Sequence, residues 1–206
     1  MGDGDVSDGN LDDEMPVSTL NVQAMSDEAL VAQAQQRNEA CMAALYERYY
    51  DRIYRYTLSR LGNQADAEDL TQETFLKMVD KLHTFRWQGI PFTAWLFRIA
   101  NNSVVDMIRR RSRQPQQELN EAIPLESGKQ VEEQVEFSLT LKEVITAMAR
   151  LTSNQQEVLA MRFGAELSVK ETAKALGKAE GTVKSTQLQA LQALRRTVAH
   201  AGNSLS

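Results

Sequence analysis

Cysteine and histidine are scarce in this chain, which has one cysteine, Cys41, and two histidines among its 206 residues. A single cysteine cannot form an internal disulfide, so a disulfide-stapled secreted scaffold is excluded and a reducing cytoplasm is favoured. His83 and His200 are far apart in sequence, and no glycine-rich phosphate loop accompanies them. The sequence therefore predicts no enzyme activity, no metal site and no cofactor.

Long apolar runs and helix-breaking residues are also scarce. No run approaches the roughly 18 apolar residues that cross a bilayer, and the acidic N-terminus lacks the basic segment of a signal peptide. We therefore expect no membrane insertion and a cytoplasmic location. Only four prolines and ten glycines interrupt a chain rich in Ala, Leu, Gln, Glu and Arg. This composition favours helices, and without any alternating strand pattern it predicts an all-α fold.

The net charge of −5 is unevenly distributed along the chain. Residues 1–28 hold eight acids and no base, and residues 114–136 hold six acids and one lysine. Residues 29–113 hold 13 bases and nine acids, and residues 137–206 hold nine bases and five acids. Two segments are thus basic despite the acidic total. Because local basic surfaces decide affinity for phosphates, the net charge does not exclude a nucleic-acid binder.

Composition and periodicity predict two helical domains joined by a flexible linker. Residues 1–25 are rich in Asp, Gly and Ser and are predicted to form a disordered acidic tail. Apolar residues then recur at helical spacing over 26–113 and again over 137–199. Residues 114–136 lack periodicity and are interpreted as an acidic linker, and residues 200–206 as a short tail.

The first domain is predicted to contain three long helices. Ser26 can cap a first helix, which precedes them. One helix ends at the Gly62-Asn63 stop signal, and the next covers about 67–82. After a loop from Arg86 to Pro91, a further helix covers about 92–111. The apolar positions of the first two long helices are Leu45, Tyr49, Ile53, Tyr56, Leu70, Phe75, Met78, Val79 and Leu82.

The second domain is predicted to contain four helices. The first covers about 137–148. The second opens with a capping-box pattern at Ser153 and Gln156, and it is predicted to bury Val158, Leu159 and Phe163. The last two lie between Ser168 and about Val198.

Ser168 to Leu194 has the spacing of a helix-turn-helix, whose second helix enters the major groove of DNA. Ser168 and Glu171 form a capping box, and Gly177 suits the left-handed turn that ends the first helix. Lys184 can reach a phosphate or guanine, and Gln189 can pair with adenine. The outward face of the second helix is predicted to hold Lys184, Ser185, Leu188, Gln189, Gln192 and Arg195. The alternative is an ordinary helical hairpin with a solvated face.

The helix predicted over 92–111 has an apolar face and a polar face. The apolar face holds Leu96, Ile99, Ala100, Ser103, Val104 and Met107, and the other holds Trp95, Arg98, Asn102, Asp106 and Arg109. The second set suits unpaired bases, because a ring stacks, a guanidinium holds phosphate and an amide reads a base edge. Arg109, Arg110, Arg111 and Arg113 extend a possible phosphate-binding stripe. The alternative makes Trp95 a core residue and the arginines a solvated helix end.

Two groups of motifs resemble a known family. Asp69-Leu70-Thr71-Gln72-Glu73, Phe85, Trp95-Leu96-Phe97-Arg98-Ile99-Ala100 and Asn102 are similar to region 2 of the extracytoplasmic-function (ECF, group 4) subfamily of bacterial RNA polymerase sigma factors. Ser168 to Leu194, including Gly181-Thr182-Val183-Lys184-Ser185, resembles region 4 of the same proteins. The resemblance covers roughly 26–113 and 137–199, in the right order.

The resemblance implies an alternative sigma factor that binds core RNA polymerase and directs promoter recognition, melting and transcription initiation. It implies three partners: core polymerase through its β′ clamp and β flap, promoter DNA, and an anti-sigma protein. Gln72 and Glu73 would bind the β′ clamp. Residues matching the −10 element surface are Phe85, Arg86, Trp87, Trp95, Arg98, Asn102 and Arg109, and those matching the −35 surface are Lys184, Ser185, Leu188 and Gln189.

The helix-turn-helix departs from the family pattern both in its second helix, the recognition helix, and in its turn. Thr186 and Gln189 stand where the family often has arginine, and Lys178 and Ala179 replace an apolar residue and a helix cap in the turn. Two alternatives therefore stay open. One is a sigma-like helix-turn-helix regulator, which leaves Trp95 and Asn102 without a role. The other is a decoy that sequesters an anti-sigma protein without initiating transcription.

Overall fold

A computed structural model describes residues 22–113 and 146–203, and all regular secondary structure in these two segments is helical. The predicted all-α fold is confirmed for them. The helices in chain order are α1 Asp27–Gln35, α2 Glu39–Leu61, α3 Gln64–Lys81, α4 Phe92–Arg113, α5 Ser153–Leu159, α6 Val169–Leu176 and α7 Glu180–Asn203. A 3-10 turn, Leu82–Thr84, follows α3, and a π-helical segment, Ala160–Gly164, follows α5.

Several predicted segments lie outside the described residues. They include most of the acidic tail, the whole linker over 114–136 and the last residues of the chain. The first predicted helix of the second domain is described only over residues 146–149, which are helical.

The helix ends follow the capping rules on which the sequence predictions rest. Ser26 caps α1 by accepting a hydrogen bond from the Ala29 amide, and Asn63 caps α3. At α6, the Ser168 and Glu171 side chains each accept from the other residue's amide, which confirms the predicted capping box. Gly177 ends α6 at φ 65°, where a residue with a Cβ is strained.

Two predictions about α5 and its continuation were wrong. The capping box is formed by Thr152 and Gln155, one residue before the predicted pair Ser153 and Gln156. Phe163, predicted to be buried, is mostly exposed. It lies in the π-helical segment, where each turn takes more residues than in an α-helix, so an α-helical projection assigns it to the wrong face.

The described chain divides into two compact units, one up to Leu45 and one from Tyr46 onward. In the first unit, the buried apolar side chains include Leu30, Val31 and Cys41. In the second unit, most of the predicted apolar positions are buried, but Val79 is half exposed because it lies on the outward side of α3.

The second unit contains helices from both predicted domains. Within it, Tyr56 packs edge-on against Phe97, with ring centroids 5.8 Å apart. Burial raises the pKa of the Tyr56 phenol, which donates to Asn101 Oδ1 at 2.6 Å. Helix α4 also packs against α6. The two predicted domains are therefore in direct contact, which the sequence did not predict.

Candidate nucleic-acid interface

Helix α4 separates its residues into the two predicted faces. Leu96, Ala100 and Val104 are fully buried, whereas Asn102 and Arg109 are exposed. Arg98 lies between these extremes and is half buried. The outward face thus carries an amide and guanidinium groups at helical spacing, as expected for a surface that holds a nucleic-acid strand.

Four aromatic rings form a cluster at the start of α4. Phe85 is at its centre, with its ring centroid 5.0 Å from those of Trp87 and Trp95 and 5.6 Å from that of Phe92. Phe92 and Trp95 are also 5.6 Å apart. Tyr49 packs edge-on against Phe92 and is within hydrogen-bond distance of Thr93. The cluster joins the loop before α4 to the core, so it fixes where the loop residues stand.

The cluster corrects the expected accessibility of two of its members. Phe85 is only 4% exposed and supports its neighbours rather than presenting its own ring. Trp95 is half buried. It is therefore neither fully outward, as the nucleic-acid interpretation expected, nor fully in the core, as the alternative expected. Trp87 is 42% exposed, and it offers the most accessible ring of the four. Its edge-on contact with Phe85 leaves part of its π surface free for stacking.

The basic residues beside this cluster are partly held by the protein itself. Arg86 Nη1 donates to the carbonyls of His83 and Phe85, at 2.8 Å each. At the other end of α4, Arg111 pairs with Asp66 at 2.5 Å. Arg109 is 4.0 Å from Asp106 and both are exposed, so this pair is weak and Arg109 stays available to a phosphate.

The helix-turn-helix is formed by α6 and α7. Val158, Ala173 and Val183 make its buried centre, and Val169 and Leu176 pack against them. On the outer side of α7, the four residues predicted to face duplex DNA, Lys184, Ser185, Leu188 and Gln189, are all exposed. An exposed polar face on the second helix of this motif fits the major groove.

Two departures from the family pattern have structural explanations. Lys178 Nζ pairs with Glu157 Oε2 at 2.6 Å and with Asn154 Oδ1, which ties the turn to α5. Thr186 is only 6% exposed, and its hydroxyl accepts a hydrogen bond from Asn154. An arginine side chain in place of Thr186 would therefore point into α5 rather than toward DNA.

Both segments match known sequence families. Residues 45–114 match the model for Sigma-70 region 2, and residues 147–196 match the model for Sigma-70, region 4. The ECF RNA polymerase sigma factor SigL of Mycobacterium tuberculosis is 31% identical over 175 residues, which cover 84% of this chain and 98% of SigL. The chain belongs to the ECF RNA polymerase sigma factors.

Two further comparisons agree with this family. The ECF RNA polymerase sigma factor BldN of Streptomyces coelicolor is 39% identical over 168 residues, or 81% of this chain. The match spans 64% of the length of BldN. A co-crystal structure of the sigma factor RpoE with the anti-sigma factor NepR from Bartonella quintana aligns with 75% of this chain and 94% of that chain, at a TM-score of 0.60 and 25% identity.

The sigma factor also has an exposed apolar surface that the sequence reading missed. On α3, Gln72 is exposed and Glu73 is half exposed, where it pairs with Lys77. Leu76 is 71% exposed and Val79 is half exposed, and both share the helix face of Gln72. The available signal was the i, i+4 and i+7 spacing from Gln72, but Val79 was predicted to be a core position and Leu76 was given no role.

None of the described helices of this sigma factor is both long and apolar enough to cross a membrane. The same residues contain no group of three or more His, Cys, Asp and Glu side chains able to hold a metal ion.

Proposed function

We propose that this chain is a group 4 sigma factor that binds core RNA polymerase, holds both promoter elements and initiates transcription, without catalysis of its own. The observation that carries the proposal is the pairing of two exposed surfaces with different chemistry on one chain. One combines Trp87 with Asn102 and Arg109, and the other is the polar face of α7. The first suits an unpaired strand and the second suits duplex DNA.

The −10 element is assigned to the start and outward face of α4. Trp87 would stack on an unpaired base, which is worth about 1–3 kcal/mol. Asn102 would read a base edge, while Arg98 and Arg109 would hold phosphates. Phe85, Arg86 and Trp95 would keep the loop in place, as their contacts with the backbone and the aromatic cluster indicate.

The −35 element is assigned to α7. Lys184 would contact a phosphate or guanine, Gln189 an adenine edge, and Ser185 and Leu188 the neighbouring bases. The remainder of this domain would dock on the polymerase β flap.

The polymerase β′ clamp is assigned to the α3 face that carries Gln72, Glu73, Leu76 and Val79. Exposed apolar side chains next to polar ones are typical of protein interfaces, in which apolar contacts supply affinity and polar contacts supply orientation. In this assignment, the exposed side chain of Leu76 would contact the β′ clamp.

An anti-sigma protein is the proposed regulator, and the cytoplasm is the proposed location. The solved RpoE structure, which resembles this chain in fold, contains the anti-sigma factor NepR. A partner of that kind would act by covering the polymerase-binding surfaces.

The experiment that tests the function adds purified protein to core polymerase on a promoter library and maps transcript starts. A sigma factor gives starts at defined sites that are absent with core polymerase alone. A decoy would bind an anti-sigma protein but give no starts, and a plain helix-turn-helix regulator would change transcription only when another sigma factor is present.

A further inference from the structure

A cleft of about 440 Å³ lies between α4 and the turn of the helix-turn-helix. Four of the side chains that line it are cationic, and they come from α4, from α6 and from the turn: Arg98, Lys170, Lys174 and Lys178. Small-molecule sites in proteins usually have volumes of about 300–1,000 Å³. The cleft is therefore large enough for a small ligand, and its charge favours an anion.

Two of these cations have no acid to neutralise them. Lys170 and Lys174 are exposed and lie one turn apart on α6, a spacing at which like charges repel each other. Neither forms an ion pair with any residue that the structure describes. Residues 146–203 contain only four acids. Three of those acids already bind groups of the protein itself: Glu157, Glu166 and Glu171. The cleft thus keeps positive charge that an anion would neutralise.

The other two cations are held in place by the protein. Arg98 donates through Nε and Nη2 to two carbonyls at the end of α6, which leaves Nη1 for a ligand. Lys178 Nζ lies 2.6 Å from Glu157 Oε2 and also donates to Asn154. An ammonium has three donors, so Lys178 keeps one for a further acceptor. Cations that are already ordered lose little side-chain freedom when a ligand binds.

The first turn of α7 adds backbone donors at the edge of the cleft. This helix begins at Glu180, and the preceding residue, Ala179, has no side-chain oxygen to cap it. The first amides of a helix lack partners within the helix, and its dipole favours an anion at this end. Both departures from the family pattern, Lys178 and Ala179, therefore leave donors free for an anion. Glu180 also lines the cleft, but it is exposed, so its carboxylate can turn toward solvent.

We propose that this cleft is a binding site for a diphosphate group, carried by a nucleoside diphosphate or present as inorganic pyrophosphate. Two linked phosphates offer several acceptor oxygens and more than one negative charge, which matches cations that come from separate elements. Ile90 contributes an apolar wall beside these cations, against which the base or sugar of a nucleotide would pack. The site does not depend on the proposed function, because binding is a property of the free chain.

The test is calorimetric titration of the full chain with pyrophosphate, GDP and inorganic phosphate. The titrations are run without divalent cations at about 0.15 M salt, which screens attraction between distant exposed charges. Pyrophosphate and GDP should each bind at one site, and inorganic phosphate should bind about tenfold more weakly or less. Tighter binding of GDP than of pyrophosphate would assign the site to a nucleotide. Equal affinities would assign it to the diphosphate alone.

The matched variants identify the cleft as the place of binding. The double variant Lys170→Gln, Lys174→Gln should weaken pyrophosphate binding about tenfold or more, because two charged contacts are lost. Arginine at both positions keeps the charge and should retain most of the affinity. Lys81→Gln removes an exposed lysine from α3 and should leave the affinity unchanged.

Three results would overturn the site. The first is that neither pyrophosphate nor GDP binds, and the second is that Lys81→Gln weakens binding as much as the double variant does. The third is that the double variant binds pyrophosphate like wild type but loses affinity for a −35 duplex. In that case Lys170 and Lys174 contact DNA instead.

Discussion

Lys178 Nζ lies 2.6 Å from Glu157 Oε2, and this ion pair joins the turn of the helix-turn-helix to α5. Both side chains are mostly buried, with 25% and 16% exposed. The family that this sequence resembles usually has an apolar residue at the position of Lys178. In this chain the position instead carries a charged contact, and Asn154 provides Lys178 with a second acceptor.

The first prediction is that Lys178→Ala lowers the free energy of unfolding by about 1–3 kcal/mol, because Glu157 is left mostly buried without its cation. Chemical denaturation of the full chain measures the change. Glu157→Ala and the double variant complete a double-mutant cycle. Strictly additive effects would mean that the two side chains do not stabilise each other.

The second prediction separates the two faces of α4. Leu96 is fully buried, so Leu96→Ala should lower the free energy of unfolding by about 2–5 kcal/mol through the cavity it leaves. Asn102 is exposed, so Asn102→Ala should change stability by less than about 0.5 kcal/mol. With holoenzyme and permanganate footprinting, Asn102→Ala should alter discrimination at one −10 position. Wild-type melting and selection by Asn102→Ala would show that this face does not read the strand.

Much of the fold of this sigma factor can be predicted from its sequence, because the residues that begin and end its helices can be recognised locally. Caps such as Ser26 and Ser168, and the stop at Gly177, act within a few residues, so their effects follow from composition and spacing. The prediction from local patterns fails at Phe163. The π-helical segment changes the helix face on which its residues lie, and no local residue pattern predicted that change.

The candidate site was less predictable because its accessibility is set by tertiary contacts. Phe85 is covered by Trp87 and Trp95, and that packing depends on how the loop before α4 folds back. Arg98 is bound by α6, which is distant in sequence. Helical spacing assigned these residues to faces but not to partners.

The third prediction concerns the polymerase surface on α3. Glu73→Lys should weaken binding to a purified β′ clamp fragment, because it reverses a half-exposed charge beside Leu76 and replaces the acid that pairs with Lys77. Glu39→Lys is the control, since it makes the same charge change at an exposed residue on a different helix, α2. If both variants bind the β′ clamp fragment equally well, Glu73 is not part of the polymerase-binding surface.

The fourth prediction concerns the duplex surface on α7. Lys184→Ala should weaken binding to a −35 duplex and reduce the slope of log affinity against log salt by about one, because one phosphate contact is lost. Lys81→Ala removes an exposed lysine from α3 and should leave that slope unchanged. Titration of the full chain at several salt concentrations measures both. A loss of affinity with an unaltered slope would favour a base contact for Lys184.

The last prediction uses the two positions where the family often has arginine. Gln189 is exposed on the recognition face, so Gln189→Arg should strengthen −35 duplex binding and steepen its salt dependence by about one added phosphate contact. Thr186 is buried against α5, and Asn154 donates to its hydroxyl. Thr186→Arg should therefore lower stability by about 1–3 kcal/mol through overpacking, without strengthening DNA binding. Thermal unfolding and duplex titration of the two variants distinguish these effects. If Thr186→Arg instead binds DNA more tightly at unchanged stability, α7 presents a different face to the groove from the one assigned to it.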